Sequence, residues 1–208
     1  MSHDTLLHRA VRPIVKRLGP TWVRPNHITV ARFLGALLAA AAFAVGTVDW
    51  VLLGAISFTI AAVLDRADGE LARLTQHFSP QGHRLDLVAD WGADALAFLA
   101  LGYGARDGWM GWWSILFGIL AAAGITALFW QLNGRDAKHG APRTRHAFDP
   151  DDAIFALPIL ICAVGVTPVL LVSGIVTPLA AVALVTCSFA VRAKPLFRSN
   201  AARIGHKV

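Results

Sequence analysis

Four aspartates within a short stretch carry the strongest chemical signal in this sequence. Asp65 and Asp68 stand three residues apart, and Asp86 and Asp90 stand four apart. On helices, either spacing places both side chains on one face. If the two faces meet, four carboxylates converge. Like charges at that distance repel and are costly to bury in ionised form, so a cation must compensate. Oxygen ligands alone favour hard ions such as Mg²⁺ or Mn²⁺. Four carboxylates can hold two such ions, which makes Asp65, Asp68, Asp86 and Asp90 the candidate metal ligands. A pair of metals suits displacement at phosphorus, because it stabilises the attacking and leaving oxygens together.

The neighbouring residues fit a nucleotide. Gly69 and Ala72 leave a shallow surface beside the first aspartate pair. Arg73 offers paired donors and a fixed charge to a diphosphate. Ser79 and Gly82 fall in the turn between the two aspartate-bearing segments, where a hydroxyl and a backbone N–H can meet phosphate. Other polar groups nearby read more plainly. Glu70 points off the Asp65/Asp68 face and is expected to be solvated or ion-paired. His77 and His83 flank the turn and are expected to be exposed. Asp94 lies one further turn beyond Asp90, either against a second substrate or in a polar groove.

These residues must be positioned by helices in lipid. The chain has 208 residues, 56% hydrophobic and 15% charged, with a mean hydropathy of +0.56. Soluble domains carry about 25% charged residues. A hydrocarbon core of roughly 30 Å takes about 20 apolar residues per helix. Six apolar segments of suitable length are expected, beginning near Ile28, Trp50, Arg84, Trp112, Ala153 and Ile175. The expected fold is an all-α integral membrane protein with six transmembrane helices. It forms one domain over 1–208, comprising an interfacial segment (1–26), a six-helix bundle (27–191) and a basic tail (192–208). The fifth helix is expected to end near Val172, with the sixth running to about Val191. Leu6, Leu7, Ala10, Ile14, Val15 and Leu18 recur at helical spacing among basic residues, which predicts an N-terminal amphipathic helix at the interface. That segment has no unbroken apolar core and is not a secretory signal.

Charge gives the orientation. The net charge is +6, and the high apolar content argues against a nucleic-acid binder. On the six-span map every Lys and Arg except Arg106 falls on one side, or in the helix ends facing it. That bias places both termini and the aspartate site in the cytoplasm. Trp109, Trp112 and Trp113 form an interfacial belt at the opposite edge, and Cys162 and Cys187 are small packing residues.

The pattern D-x2-D-G-x2-A-R-x8-G-x3-D-x3-D, carried by Asp65, Asp68, Gly69, Ala72, Arg73, Gly82, Asp86 and Asp90, resembles the signature of the CDP-alcohol phosphotransferase (CDP-alcohol phosphatidyltransferase) family. Pro25-Asn26-His27-Ile28-Thr29 is similar to the Pro-Asn-x-x-Thr that often opens the first helix there. The resemblance implies cleavage of a CDP-alcohol diphosphate, release of CMP and transfer of the substituted phosphate to a second alcohol. By that likeness Asp65, Asp68 and Asp86 hold metals. Asp90 touches the second metal and is the catalytic base. Gly69, Ala72 and Arg73 contact the CDP part together with Asn26, Thr29 and Ser79. A homodimer is implied as well.

The second substrate is less sharply marked. The loop after the fourth span carries Arg135, Lys138, His139, Arg143 and Arg145, and Arg192 and Lys194 follow the sixth. These are either charges that set topology or a pocket for a phosphorylated acceptor, for which Asp94, Lys138, Arg143, Arg145 and Arg192 are the candidates. The expected activity is metal-dependent transfer, in phospholipid biosynthesis, of a phosphatidyl group from CDP-diacylglycerol to a polar alcohol. Three alternatives remain: a soluble CDP-alcohol donor with a lipid or polyol acceptor, a cation- or proton-coupled transporter, and a non-catalytic relative that binds CDP-lipid. The transporter predicts acids spread across the bilayer depth, whereas here they cluster at one side.

Overall fold

A computed structural model describes residues 12, 13, 15, 25–75, 80–139 and 155–204, with the side chains of 25, 73, 80, 134–139 and 189–204 outside that description. The described residues are helical throughout, apart from short turns. The helices are α1 (Pro25–Val45), α2 (Val48–Thr75), α3 (Pro80–Gly104), α4 (Trp113–His139), α5 (Ala156–Val164) and α6 (Val166–Ile204), with one 3₁₀ turn at Ala105–Asp107.

Proline opens both α1 and α3, where its missing N–H costs nothing because the first helical N–H groups have no intrahelical partner. Gly46 ends α1 with φ of 81°, a left-handed conformation that glycine adopts without strain. Only Gly46 and Thr47 separate α1 from α2, so the two form a tight antiparallel hairpin. α3 packs along α1 and α4, α4 along α6, and α5 against α2. The core joins Ala39 and Phe43 of α1, Phe58 of α2, Phe98 and Leu101 of α3 and Leu170 of α6. Small residues let these backbones approach closely, which is how helices gain packing energy in lipid.

Four described helices are long and apolar enough to cross a membrane: Asn26–Val45, Val48–Ala72, Trp113–Asn133 and Val166–Ser188. The chain is therefore a membrane-embedded helical protein. α3 has 25 residues, which span about 38 Å, but it carries Asp86, Asp90 and Asp94 along about its first four turns. The sequence expectation is corrected in the last third of the chain. α5 has nine residues, about 14 Å of helix, less than half a hydrocarbon core. The break expected between Val172 and Ile175 falls instead at Gly165, whose φ is 86°. α6 then runs unbroken through that region and past the expected end at Val191 to Ile204, so residues 192–204 are helical. Pro168 is tolerated because it lies in the first turn of α6. Of the expected interfacial helix, Arg12, Pro13 and Val15 are described, all three helical; its remaining residues lie outside the described set.

Candidate active site

The site forms where three helix ends meet. α1 contributes its first two turns, α2 its last turns and α3 its first. α2 carries Asp65 and Asp68 one turn apart, and α3 carries Asp86 and Asp90 one turn apart. One carboxylate oxygen from each of Asp65, Asp68 and Asp86 lies within 4.8 Å of the others. The convergence anticipated from spacing is thus realised for these three, and Asp90 joins them through a shared partner.

That partner is Arg32, which the aspartate spacing does not announce. Its side chain is 4% exposed. Nη1 donates to Oδ1 of Asp65 and to Oδ1 of Asp90 at 2.5 Å. Nη2 donates to Oδ1 of Asp86 at 2.9 Å and to its carbonyl at 3.2 Å. Nε makes no hydrogen bond but lies 3.9 Å from Oδ2 of Asp68. One guanidinium therefore faces all four carboxylates. The planar fork suits this, because it presents donors in several fixed directions at once. A signal was present in the sequence. Arg32 is a lone charge near the start of an apolar span, and such a charge needs a counter-charge within the bundle.

The outer contacts fix the carboxylates. Thr29, one turn before Arg32, donates its hydroxyl to Oδ2 of Asp68 at 2.9 Å in a buried hydrogen bond. Arg66 is buried, holds Oδ2 of Asp65 at 2.7 Å and lies 5.7 Å from the ring centre of Phe155. Behind the site, buried Glu70 pairs with Nε of Arg12 at 3.1 Å, so it is ion-paired rather than solvated. Val15, Ile28, Ala67 and Leu71 pack in a small cluster on the same side. Trp91 Nε1 donates to Thr126 of α4 at 2.9 Å, which fixes α3 beside its neighbour.

Four carboxylates against the guanidiniums of Arg32 and Arg66 leave two negative charges in excess. An all-oxygen donor set with excess negative charge fits a hard divalent cation. The remaining expected residues are placed as follows. Asn26 and His83 are exposed, while Gly69, Ala72, Gly82 and Asp94 are half-buried near the aspartates in sequence. Arg73 lies on α2, Lys138 on the last turn of α4 and Arg192 on α6, with their side chains outside the described set. Ser79, His77, Arg143 and Arg145 lie outside the described residues altogether.

Comparison with known proteins bears on this arrangement. The family model for CDP-alcohol phosphatidyltransferase matches residues 22–187, which include all four aspartates and Arg32. A bifunctional IPC transferase and DIPP synthase of Rubrobacter xylanophilus is 36% identical over 110 residues, 52% of this chain. The match spans 22% of that relative's length.

Proposed function

The chain belongs to the CDP-alcohol phosphatidyltransferase family, and from that premise we propose that it is a metal-dependent transferase of substituted phosphate groups in phospholipid synthesis. It takes a CDP-linked lipid, CDP-diacylglycerol first among the candidates, releases CMP and transfers the phosphatidyl group to a polar alcohol. The observation that carries this reading is the convergence of Asp65, Asp68 and Asp86 within 4.8 Å at one end of an apolar bundle.

In this reading Asp65, Asp68 and Asp86 hold two divalent ions, Mg²⁺ or Mn²⁺, and Asp90 borders the second. The ions supply charge neutralisation at the diphosphate and at the entering and leaving oxygens. Thr29 holds the Asp68 carboxylate in its ligating orientation, as residues behind metal ligands commonly do. Asp90 accepts the proton of the attacking hydroxyl, which is a weak nucleophile at neutral pH without a positioned base. Gly69 and Ala72 let the cytidine approach α2. Arg73, with Asn26, Ser79 and Gly82, takes the diphosphate, and its fixed charge favours the departing CMP. Lys138, Arg143, Arg145 and Arg192, with Asp94, receive the acceptor, which is phosphorylated if those cations face it.

An apolar groove between α2 and α5 supports a lipid donor. Leu52, Ile56, Thr59, Pro158, Ile159 and Cys162 line it. Thr59 lies six residues before Asp65, about 9 Å along the helix. The single domain over 1–208, the N-terminal interfacial helix, a cytoplasmic N-terminus and site, and a homodimer complete the proposal. Their support is the one-sided distribution of basic residues and the family layout. The nine described residues of α5 are too short to serve as a sixth crossing. A second reading, a soluble CDP-alcohol donor with a lipid or polyol acceptor, is favoured by one observation. The Rubrobacter relative is named for IPC transfer and DIPP synthesis rather than for phosphatidyl transfer.

The test is CMP release from purified protein given CDP-diacylglycerol, Mg²⁺ or Mn²⁺, and polar alcohols added singly. Release that depends on one alcohol and on the metal is expected. Release only from a soluble CDP-alcohol would establish the second reading, and ion flux in proteoliposomes without CMP would replace both with a transporter.

A further inference from the structure

We infer that Arg32 is a resident counter-cation of the aspartate cage: it holds the four carboxylates together in the metal-free protein and competes with the divalent ions for the same oxygens. The inference rests on the reading of this cage as a divalent-cation site.

The geometry makes the competition direct. Asp65, Asp68 and Asp86 are the residues whose carboxylate oxygens come within ligating reach of one another. Arg32 already holds Oδ1 of Asp65, Oδ1 of Asp86 and Oδ1 of Asp90, and its Nε lies 3.9 Å from Asp68. A divalent cation held by these carboxylates would draw on the same oxygens or on those beside them, within a few ångströms of the guanidinium charge. The guanidinium is nearly inaccessible, with 4% of its side chain exposed, so its own charge is balanced by these carboxylates rather than by water. Without Arg32 and without metal, four mutually repelling charges would sit at a helix junction, with Arg66 bound to the far oxygen of Asp65 as a cation beside them. Arg32 thus balances these carboxylates as a divalent ion held by them would.

Its side chain is suited to being displaced as well as to binding. Three methylenes separate the guanidinium from the α1 backbone, so the charge can swing out while α1 stays docked against α2 and α3. α1 itself is anchored separately, through Thr29 to Asp68. Metal loading then exchanges one positive charge for more, without separating the helices.

A purely structural role and this one predict opposite changes in metal affinity. If Arg32 only shaped the site, removing it would weaken metal binding. If it competes, removing it strengthens metal binding while destabilising the metal-free protein. The experiment is Mn²⁺ titration calorimetry on the detergent-solubilised full chain, for wild type, Arg32→Met and Arg32→Lys, with melting temperatures in EDTA and in saturating Mn²⁺. Arg32→Met is expected to bind Mn²⁺ at least about tenfold more tightly than wild type, since a unit charge a few ångströms away is removed. It is also expected to melt lower in EDTA and to gain more from Mn²⁺. Arg32→Lys keeps the charge but loses the fork, and should fall between the two. Where Arg32→Met folds only with Mn²⁺, chelator-driven release replaces affinity: slower release than wild type supports the competition, and equal or faster release overturns it. Where it does not fold at all, Arg32→Lys decides, and an affinity equal to or weaker than wild type overturns it. Equal or weaker Mn²⁺ binding by a folded Arg32→Met likewise sinks this inference while leaving the metal site standing. Absence of Mn²⁺ binding to wild type overturns both.

Discussion

The two ends of the α1–α2–α3 unit are closed by opposite means. At the site end, α1 meets its neighbours through charge: Arg32 faces Asp65, Asp68, Asp86 and Asp90, and Thr29 bonds Asp68. At the far end, α1 meets α3 backbone to backbone. A side chain at Gly46 would run into the carbonyl of Gly104. Nearby, a Cβ on Gly102 would lie 2.8 Å from the Ser114 carbonyl of α4, and the Ser114 hydroxyl returns a buried bond of 2.8 Å to the Gly102 carbonyl. Exposed Trp109, Trp112 and Trp113 follow at that edge. Close packing has one arrangement and tolerates nothing inserted. On the proposed reading, a cage of carboxylates around a cation on a long side chain would keep its shape while its contents change. One end is a backbone contact and the other a charged cluster, and the same three helices serve both.

Substitutions at each end sharpen this contrast. The largest effect is expected from Asp90→Asn, which removes the proposed base. CMP release should fall by roughly 10²–10⁴-fold while Mn²⁺ and CDP still bind in titration calorimetry; normal turnover would remove Asp90 from that role. Next comes Gly104→Leu, which forces side-chain volume into the α1–α3 contact. A loss of about 3 kcal/mol is expected, read as a lower melting temperature, with the Mn²⁺ affinity of the folded protein unchanged. A change in affinity as large as the loss of stability would mean that the two ends are not separable. Thr29→Val keeps the shape and removes the hydroxyl behind Asp68. Divalent-cation affinity should drop about 10–100-fold with little loss of fold, and an unaltered affinity would show that Asp68 needs no positioning. The smallest effect is expected from Ser114→Ala, at about 1 kcal/mol of stability and no change in turnover.

The same contrast explains what was legible in the sequence. The aspartate pairs were readable because helical spacing converts directly into a shared face, and two faces with one chemistry imply one site. Gly69, Ala72 and Arg73 ride on that pattern. Arg32 was harder to read, because the cation that answers an acidic cluster can come from any element. It lies on α1, 33 residues before Asp65, close enough to the basic N-terminal segment to pass as another topology charge. Its position after the helix start, among Val30, Ala31, Phe33 and Leu34, was the clue. The helix breaks show the reverse error. Proline is a sequence signal for a kink or an end, yet Pro158 and Pro168 sit in first turns and Pro178 lies within α6. The break came at Gly165 through a left-handed φ, which local composition does not advertise. Helical class and apolar length were readable because they depend only on composition over about 20 residues.

The two-residue link between α1 and α2 has a consequence for how this protein enters a membrane. During synthesis the segment 25–75 emerges before α3 exists, and its short connection brings Arg32 opposite Asp65 and Asp68 as soon as both helices are made. The hairpin therefore inserts with its buried cation already matched by acids from its own sequence, so that charge need not meet lipid alone. Asp86 and Asp90 arrive later, on a helix whose docking surface is already in place. The order of the chain in this respect keeps the first cation within one hairpin of its acids and puts the aspartates of α3 behind the charge that answers them.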